Sequence, residues 1–538
     1  MKKISGLLFF TLLFMNASAQ SDIDVLHYTF KIELNDNNDS IYGEASIKFI
    51  PAKGSQVVDF DLSTITGKGT GMKVQSVQYL YGWPGEINMK KSDFTQTNNK
   101  ISIPLGEKIV KNDTGFVIIN YKGIPSDGLI ISKNKYGNRT FFADNWPNRG
   151  HNWLPCHDDP ADKASVEFIV TAPQHYQVVA NGVQLEETNL PANKKRTHWK
   201  EDVPVSTKVM VIGVADFAVN LSGMINGCIP VYSWVYPEDR NKGFYDYAQA
   251  AEILPYYIKN VGPYAYKKLA NVESKTIFGG LENANTIFYS ESSIDGNRKS
   301  ESLLAHEIAH QWFGNMATEK TFAHLWLSEG FATYMTILYM ENKYGTDTAT
   351  KMLLEDRSQV IDFVRRSNRS VVDNNPDYME LLNPNSYQKG GWVLHMLRRQ
   401  LGDSVFWKSI RTYYSTYAGK TADTDDLRKV FEKISGKDLR TFFTQWLFTP
   451  GIPDLKISWK YQPNEKKITI MVEQLQTQPY NFPLELAIGI SSAKPKIEKL
   501  SITKKTETFT IASLQKPLSV IADPLVSLLF SGKITETK

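Results

Sequence analysis

The chain has 538 residues, 42% hydrophobic and 22% charged, with a formal charge of +4 at pH 7 from 61 basic and 57 acidic side chains. That length suffices for about three domains with sizeable cores, and so balanced a charge gives no electrostatic basis for binding nucleic acid. The only cysteines, Cys156 and Cys228, permit one bridge and exclude a disulfide-built scaffold.

Residues 1–19 read as a signal peptide. Lys2 and Lys3 form a positive start, Leu7–Met15 is an apolar core too short for a stable bilayer span, and Ala17-Ser18-Ala19 is a cleavage site. The mature chain is expected to begin at Gln20. No cysteine stands directly after the cleavage site, and no later apolar run reaches the roughly 18 residues of a membrane helix. The expectation is an exported, soluble protein without a lipid or transmembrane anchor, either periplasmic or secreted.

Residues 20–228 read as one all-β domain. Tyr28, Phe30, Ile32 and Leu34 alternate with polar residues, as do Ile41, Ala45, Ile47 and Phe49, and Val166, Phe168 and Val170. Near Pro230 the period changes, and residues 229–450 read as a mixed domain. Asn241–Val261 is helical with a kink at Pro255, and Thr276–Tyr289 is a strand, a turn and a strand around Gly279-Gly280. Further helices are predicted at Thr348–Val364, Gly391–Leu401, Ser404–Tyr417, Asp425–Ile434 and Leu439–Leu447. Asp403 and Thr424 precede two of them, and Gly436 ends a third. Pro450-Gly451-Ile452-Pro453 breaks the helical run, and residues 451–538 return to short strands, a small β-sandwich. Lys494, Lys496, Lys499, Lys504 and Lys505 mark its solvated strand face.

The chemistry concentrates in Leu303–Tyr334. His306-Glu307-Ile308-Ala309-His310 is an H-E-x-x-H, followed after 18 residues by Glu329. Positions i and i+4 share a helix face, so both imidazoles can reach one zinc ion at about 2.0–2.1 Å. Glu307 stands about 100° round the helix, beside the ion rather than among its ligands, where a general base belongs. A catalytic zinc wants a third protein ligand from another element. Glu329 supplies it, at the start of a second helix-like apolar pattern that an antiparallel return brings back over the histidines. Two histidines on an ordinary buried helix are the alternative when the short motif stands alone.

HEIAHQWFGN followed by LWLSEGFATY resembles the aminopeptidase N family of gluzincin zinc peptidases. Phe278-Gly279-Gly280-Leu281-Glu282-Asn283 is similar to that family's G-x-M-E-N motif, with Leu281 for Met, and Ser386-Tyr387-Gln388-Lys389-Gly390 to the segment carrying its tyrosine. The resemblance implies an N-terminal all-β saddle, a thermolysin-like α/β catalytic domain and a C-terminal β-sandwich, in a short form without the family's large helical C-terminal domain. It implies one Zn2+ per chain on His306, His310 and Glu329, with Glu307 as the base of a zinc-activated water. Among 26 tyrosines it selects Tyr387 as the donor to the oxyanion. It assigns the free amino terminus of a peptide substrate to Glu282, with Asn283 beside it and with Gly279 and Gly280 admitting the substrate backbone. The family's second amine contact, a Gln or Glu ahead of Pro155-Cys156-His157-Asp158-Asp159-Pro160, has no direct counterpart. Asp144 is the expected substitute.

The function this implies is an exported zinc aminopeptidase. The alternatives are a zinc metallopeptidase with relaxed end-recognition, or a catalytically inactive peptide-binding protein on the same scaffold. His151, His157 and His324 lack ligand spacing and are expected to be structural, His324 shaping the connection between the two site helices. Side-chain preference and oligomeric state are left open by the sequence.

Overall fold

The computed structural model describes residues 23–52, 54–81, 90–105, 114–490 and 495–537. The expected signal peptide lies outside the described residues, as does Lys494 of the lysine face.

Apolar–polar alternation makes the first third of the chain a sheet structure. Eight strands run in the order Val183–Leu190, Lys194–Val205, Ala164–Pro173, Ile23–Glu33, Ile41–Pro51, Gly115–Ile124, Gly71–Tyr81 and Lys90–Ser92. All neighbours pair antiparallel except Ile23–Glu33 with Ala164–Pro173. The period of two buries Tyr28, Phe30 and Ile32 and exposes Lys31. Two smaller sheets complete the saddle, one built on Arg139–Ala143 and Ile212–Ala215, the other on Val57–Asp61 and Lys100–Pro104.

The next sheet has five strands, ordered Ala218–Ile225, Ile229–Val235, Leu269–Ser274, Thr286–Ser290 and Gly280–Leu281. Its first two strands form a hairpin, so the boundary expected at 228/229 falls inside one supersecondary unit. The hairpin turn is Asn226-Gly227, both at positive φ (52° and 72°), which an Asn-Gly pair adopts at little cost. Asn241–Val261 is two helices, Arg240–Tyr247 and Ala250–Asn260, the second containing Pro255.

The later helices run Thr346–Val364, Gly390–Leu401, Asp403–Tyr417 and Thr424–Ser435. Two expected caps shift. Asp403 is itself helical, and Asp423 rather than Thr424 caps the Thr424–Ser435 helix, forming a capping box with Asp426. Gly436 ends that helix at φ 69°, as its position suggests. The last expected helix is a short turn, Arg440–Phe443, running into a π-turn, Thr444–Phe448. A four-stranded and a three-stranded sheet then form the sandwich, with Ile457, Ile470, Leu484 and Leu486 buried, while Lys496, Lys499, Lys504 and Lys505 are exposed. Cys156 is buried and Cys228 exposed, both free thiols.

Two joints hold the site in place. On the saddle side, Asn285 is a hub. Its Oδ1 accepts from Gly182 N (2.8 Å) and Lys268 Nζ (2.7 Å), and its Nδ2 donates to Glu201 Oε2 (2.6 Å). Buried Lys208 pairs with buried Glu319 across the same joint. On the sandwich side, Lys389 Nζ donates to Gly451 O (2.8 Å), and Arg357 donates to Asp523 Oδ2 (2.5 Å) and Leu528 O (2.7 Å). These bonds anchor the elements that carry Tyr387 and Asp356.

Candidate metal centre and substrate cleft

The H-E-x-x-H lies on the helix Glu301–Ala309, with His310 at its C-terminal cap. The chain turns sharply at Gly314, whose φ of 113° suits only glycine and whose missing side chain makes room for Ser328 Oγ. It then re-enters as the helix Trp326–Tyr344, with Glu329 in its first turn. His324, in the connection, meets Thr424 Oγ1 through Nδ1 at 2.9 Å and stays away from the metal centre. Gly330 lets this helix touch the backbone of Gly390; a Cβ on Gly330 would stand 2.8 Å from Gly390 Cα. That close approach seats the π-turn Asn385–Lys389 against the site, with the Tyr387 ring 6.0 Å from that of His306. A one-residue widening of a helix is frequent where a functional side chain must be re-aimed.

The three candidate ligands converge. His306 Nε2 and His310 Nε2 each lie 3.3 Å from Glu329 Oε2, and all three ligand atoms lie within 4.8 Å of one another. Ligand atoms of a tetrahedral zinc with bonds of about 2.0–2.1 Å stand about 3.3–3.4 Å apart. His310 Nδ1 donates to Phe313 O (3.1 Å), with Ser328 Oγ also 3.1 Å away. A neutral His310 so held turns the Nε2 lone pair toward a carboxylate oxygen, an arrangement that a cation between them reconciles.

The electrostatics ask for a positive charge at the same place, which either a proton on His310 or a metal ion supplies. Burial alone would lower His310, but Glu329, Glu282 and Glu307 outweigh it and push it up to about 10. Burial lowers His306, with the charge of His310 adding and Glu329 opposing. Burial would raise Glu329, yet His310 and His306 hold it well below the usual carboxylate range. The pocket favours positive charge, and the donor set fits zinc.

These residues line a cleft of about 430 Å³ together with Phe278, Gly279, Gly280, Glu282, Glu307 and Tyr387. Burial pushes the Glu307 carboxyl well up, and Glu282 and Glu329 add to this against His310. Burial likewise raises the Tyr387 phenol, reinforced by the surrounding carboxylates. Gly280 runs against Glu307, where a Cβ would stand 2.3 Å from Glu307 Oε1. Gly279 has more room, a Cβ there meeting only Leu303 at 3.9 Å. Glu282 Oε1 and both amide atoms of Asn283 are buried without a hydrogen-bond partner.

Asp144 lies outside this set. Its carboxylate is fully buried and accepts from Arg149, from Thr276 Oγ1 (2.9 Å) and from Ile277 N (3.1 Å). It holds the backbone leading into Phe278 and is not among the residues lining the cleft. The saddle reaches the cleft through Trp146 instead, edge-on to Phe278 at 5.8 Å.

Sequence reasoning also missed Gln311 and Asn315. Their amides donate to Glu282 O at 3.1 and 2.6 Å and fix the strand edge. Both belong to HQWFGN, so their proximity to the metal motif was the available signal. Thr333, Thr336, Met352 and Asp356, which line the helical end of the cleft, carried no such signal.

A His-His-Glu cluster with a separate carboxylate beside it, set between a β-saddle and a mixed α/β domain, is the architecture of a metallopeptidase. Two family descriptions match the chain: "Peptidase M1 N-terminal domain" over residues 25–209 and "Peptidase family M1 domain" over residues 245–446. The chain belongs to peptidase family M1.

Among similar proteins, rice aminopeptidase M1-C is 30% identical over 57% of this chain and 36% of its own length. The probable aminopeptidase 2 of Sulfurisphaera tokodaii is 26% identical over 78% of this chain and 57% of its own. The structure of Legionella pneumophila aminopeptidase A in complex with aspartic acid shares the fold, with a TM-score of 0.80 at 18% identity over 96% of this chain and 60% of that one. The chain thus spans between 36% and 57% of the length of these two curated relatives.

Proposed function

We propose that the protein is an exported zinc-dependent aminopeptidase that removes N-terminal residues from peptides. One observation carries the reading: beside the His-His-Glu cluster, Glu282 keeps a buried carboxylate oxygen without a partner. An unpaired buried carboxylate is costly. The α-ammonium of a peptide supplies both the charge and the donors it lacks. Aspartic acid, found with the Legionella relative, is a free α-amino acid, the class of product such a site releases.

His306, His310 and Glu329 would hold one zinc ion. When bound, zinc supplies Lewis acidity to the oxygen atoms of the reaction. Glu307 takes a proton from the attacking water and returns it to the departing nitrogen. Tyr387, kept protonated by burial, donates a hydrogen bond to the carbonyl oxygen as negative charge builds there. Gly279 and Gly280 let the substrate backbone lie close to the strand edge, and Asn283 completes the amine end. Asp144 is a positioning residue for this edge, acting through Thr276 and Ile277. Export through a cleaved leader at residues 1–19 belongs to this reading. No helix among the described residues is long and apolar enough to cross a membrane.

The test is cleavage of a peptide set with free and N-acetylated amino termini, read by mass with and without a chelator. Stepwise loss from free ends only, abolished by chelator, is expected. Equal cleavage of blocked peptides would overturn the role given to Glu282 and leave an endopeptidase on the same site.

A further inference from the structure

The cleft has a direction. Glu282 is tied through its carbonyl to Gln311 and Asn315, beyond the C-terminal end of the helix Glu301–Ala309. Ser302 and Leu303 line the cleft at that helix's N-terminal end, with His306 and His310 between. A peptide whose ammonium sits on Glu282 and whose scissile carbonyl lies over the histidines continues toward Ser302. The helical end of the cleft therefore receives the residue after the scissile bond.

That end is apolar along its walls and acidic at one point. Ile337 and Met352 line it, and Thr336 turns its hydroxyl back to Ala332 O (2.8 Å). Asp356 stands one helical turn after Met352, on the same face of the helix Thr346–Val364. It is half-buried and lines the cleft. Among the described residues it makes no hydrogen bond or ion pair. Arg357 beside it is committed to Asp523 and Leu528. Burial, with a smaller contribution from Glu355, pushes its carboxyl up to about 7, the mark of a carboxylate lacking a counter-charge. Thr336 lies seven residues beyond Glu329 on its helix, about 10 Å at 1.5 Å per residue. The lobe lined by Thr336 thus extends well past Glu329 along that helix.

We infer that Asp356 is a specificity-determining residue, selecting peptides with lysine or arginine in the second position. The inference rests on the aminopeptidase reading for the direction of the substrate. An aliphatic stem along Ile337 and Met352 with a cationic head on Asp356 satisfies both parts of the lobe.

The test uses the full chain and peptides that share the first residue and carry Lys, Arg, Leu or Glu in the second. The preference for Lys and Arg over Glu in kcat/KM is expected to be about ten- to a hundredfold, the range of one charge-assisted hydrogen bond. Asp356→Asn should erase that preference while leaving the Leu peptide within about threefold, and Asp356→Lys should favour Glu. The same peptides, titrated by calorimetry into Glu307→Gln, report recognition without turnover. Turnover with no second-position preference, or a preference that survives Asp356→Asn, overturns the inference and leaves the aminopeptidase reading intact. A binding preference lost in Asp356→Asn, in a protein that releases no first residue, sustains the cation site and overturns the peptidase reading.

Discussion

The two sides of the cleft are finished to different degrees. On the helical side His310 is held by Phe313 O and Ser328, both 3.1 Å away, and both imidazole Nε2 atoms stand 3.3 Å from Glu329 Oε2. On the strand side the chain stops short. Gln311 and Asn315 fix the backbone of Glu282, yet its Oε1 and the Asn283 amide stay without partners. Buried polar groups are ordinarily satisfied; on the proposed reading one side suits a resident ion and the other a transient ligand.

Substitutions on the two sides should therefore fail differently. Glu307→Gln, which removes the proposed proton carrier, is expected to lower turnover by about 10²–10⁴ while zinc content by elemental analysis stays unchanged. Loss of zinc from this variant would show the carboxylate to be part of the metal site. Tyr387→Phe deletes one donor to the developing oxyanion and should cost about 10²–10³ in kcat with little change in KM; a pure KM effect would reassign the phenol to substrate binding. Glu282→Gln keeps the shape and removes the charge. Its kcat/KM for free peptides should fall about 10–100-fold with acetylated peptides unaffected, so that discrimination between them narrows. Undiminished discrimination would place amine recognition elsewhere in the cleft.

How far the sequence reached follows from the range of the interactions. His306 and His310 share a helix face because of their spacing alone, and Glu329 begins the next helix, so the metal side was legible locally. Tyr387 and Glu282 were legible only by resemblance, since neither has a pattern of its own. Asp144 shows the limit of local reading: Arg149 is five residues away, but its partners Thr276 and Ile277 lie 132 and 133 residues away. No local rule shows that its carboxylate is already satisfied. Asp356 enters the cleft only through the packing of the helix Thr346–Val364 beside Trp326–Tyr344. The boundary expected at 228/229 is a different case. Asn226-Gly227 is a hairpin signal that outranks the change of period near Pro230.

The smallest effect gives the sharpest test of the contrast. Ser328 Oγ and Phe313 O compete for the same face of His310 Nδ1. In Ser328→Ala the carbonyl remains, so the ring should keep its tautomer and its aim. Partners of a ligating histidine are worth about 10–100-fold in metal affinity, and with one of two retained the loss should fall near tenfold. Titration against a competing chelator measures it. Once zinc saturates the site, discrimination between free and acetylated peptides should match the unsubstituted protein, because nothing on the strand side has changed. If discrimination fell in Ser328→Ala at saturating zinc, the two sides would be one coupled network, and the partnerless Glu282 oxygen would need the metal side to account for it.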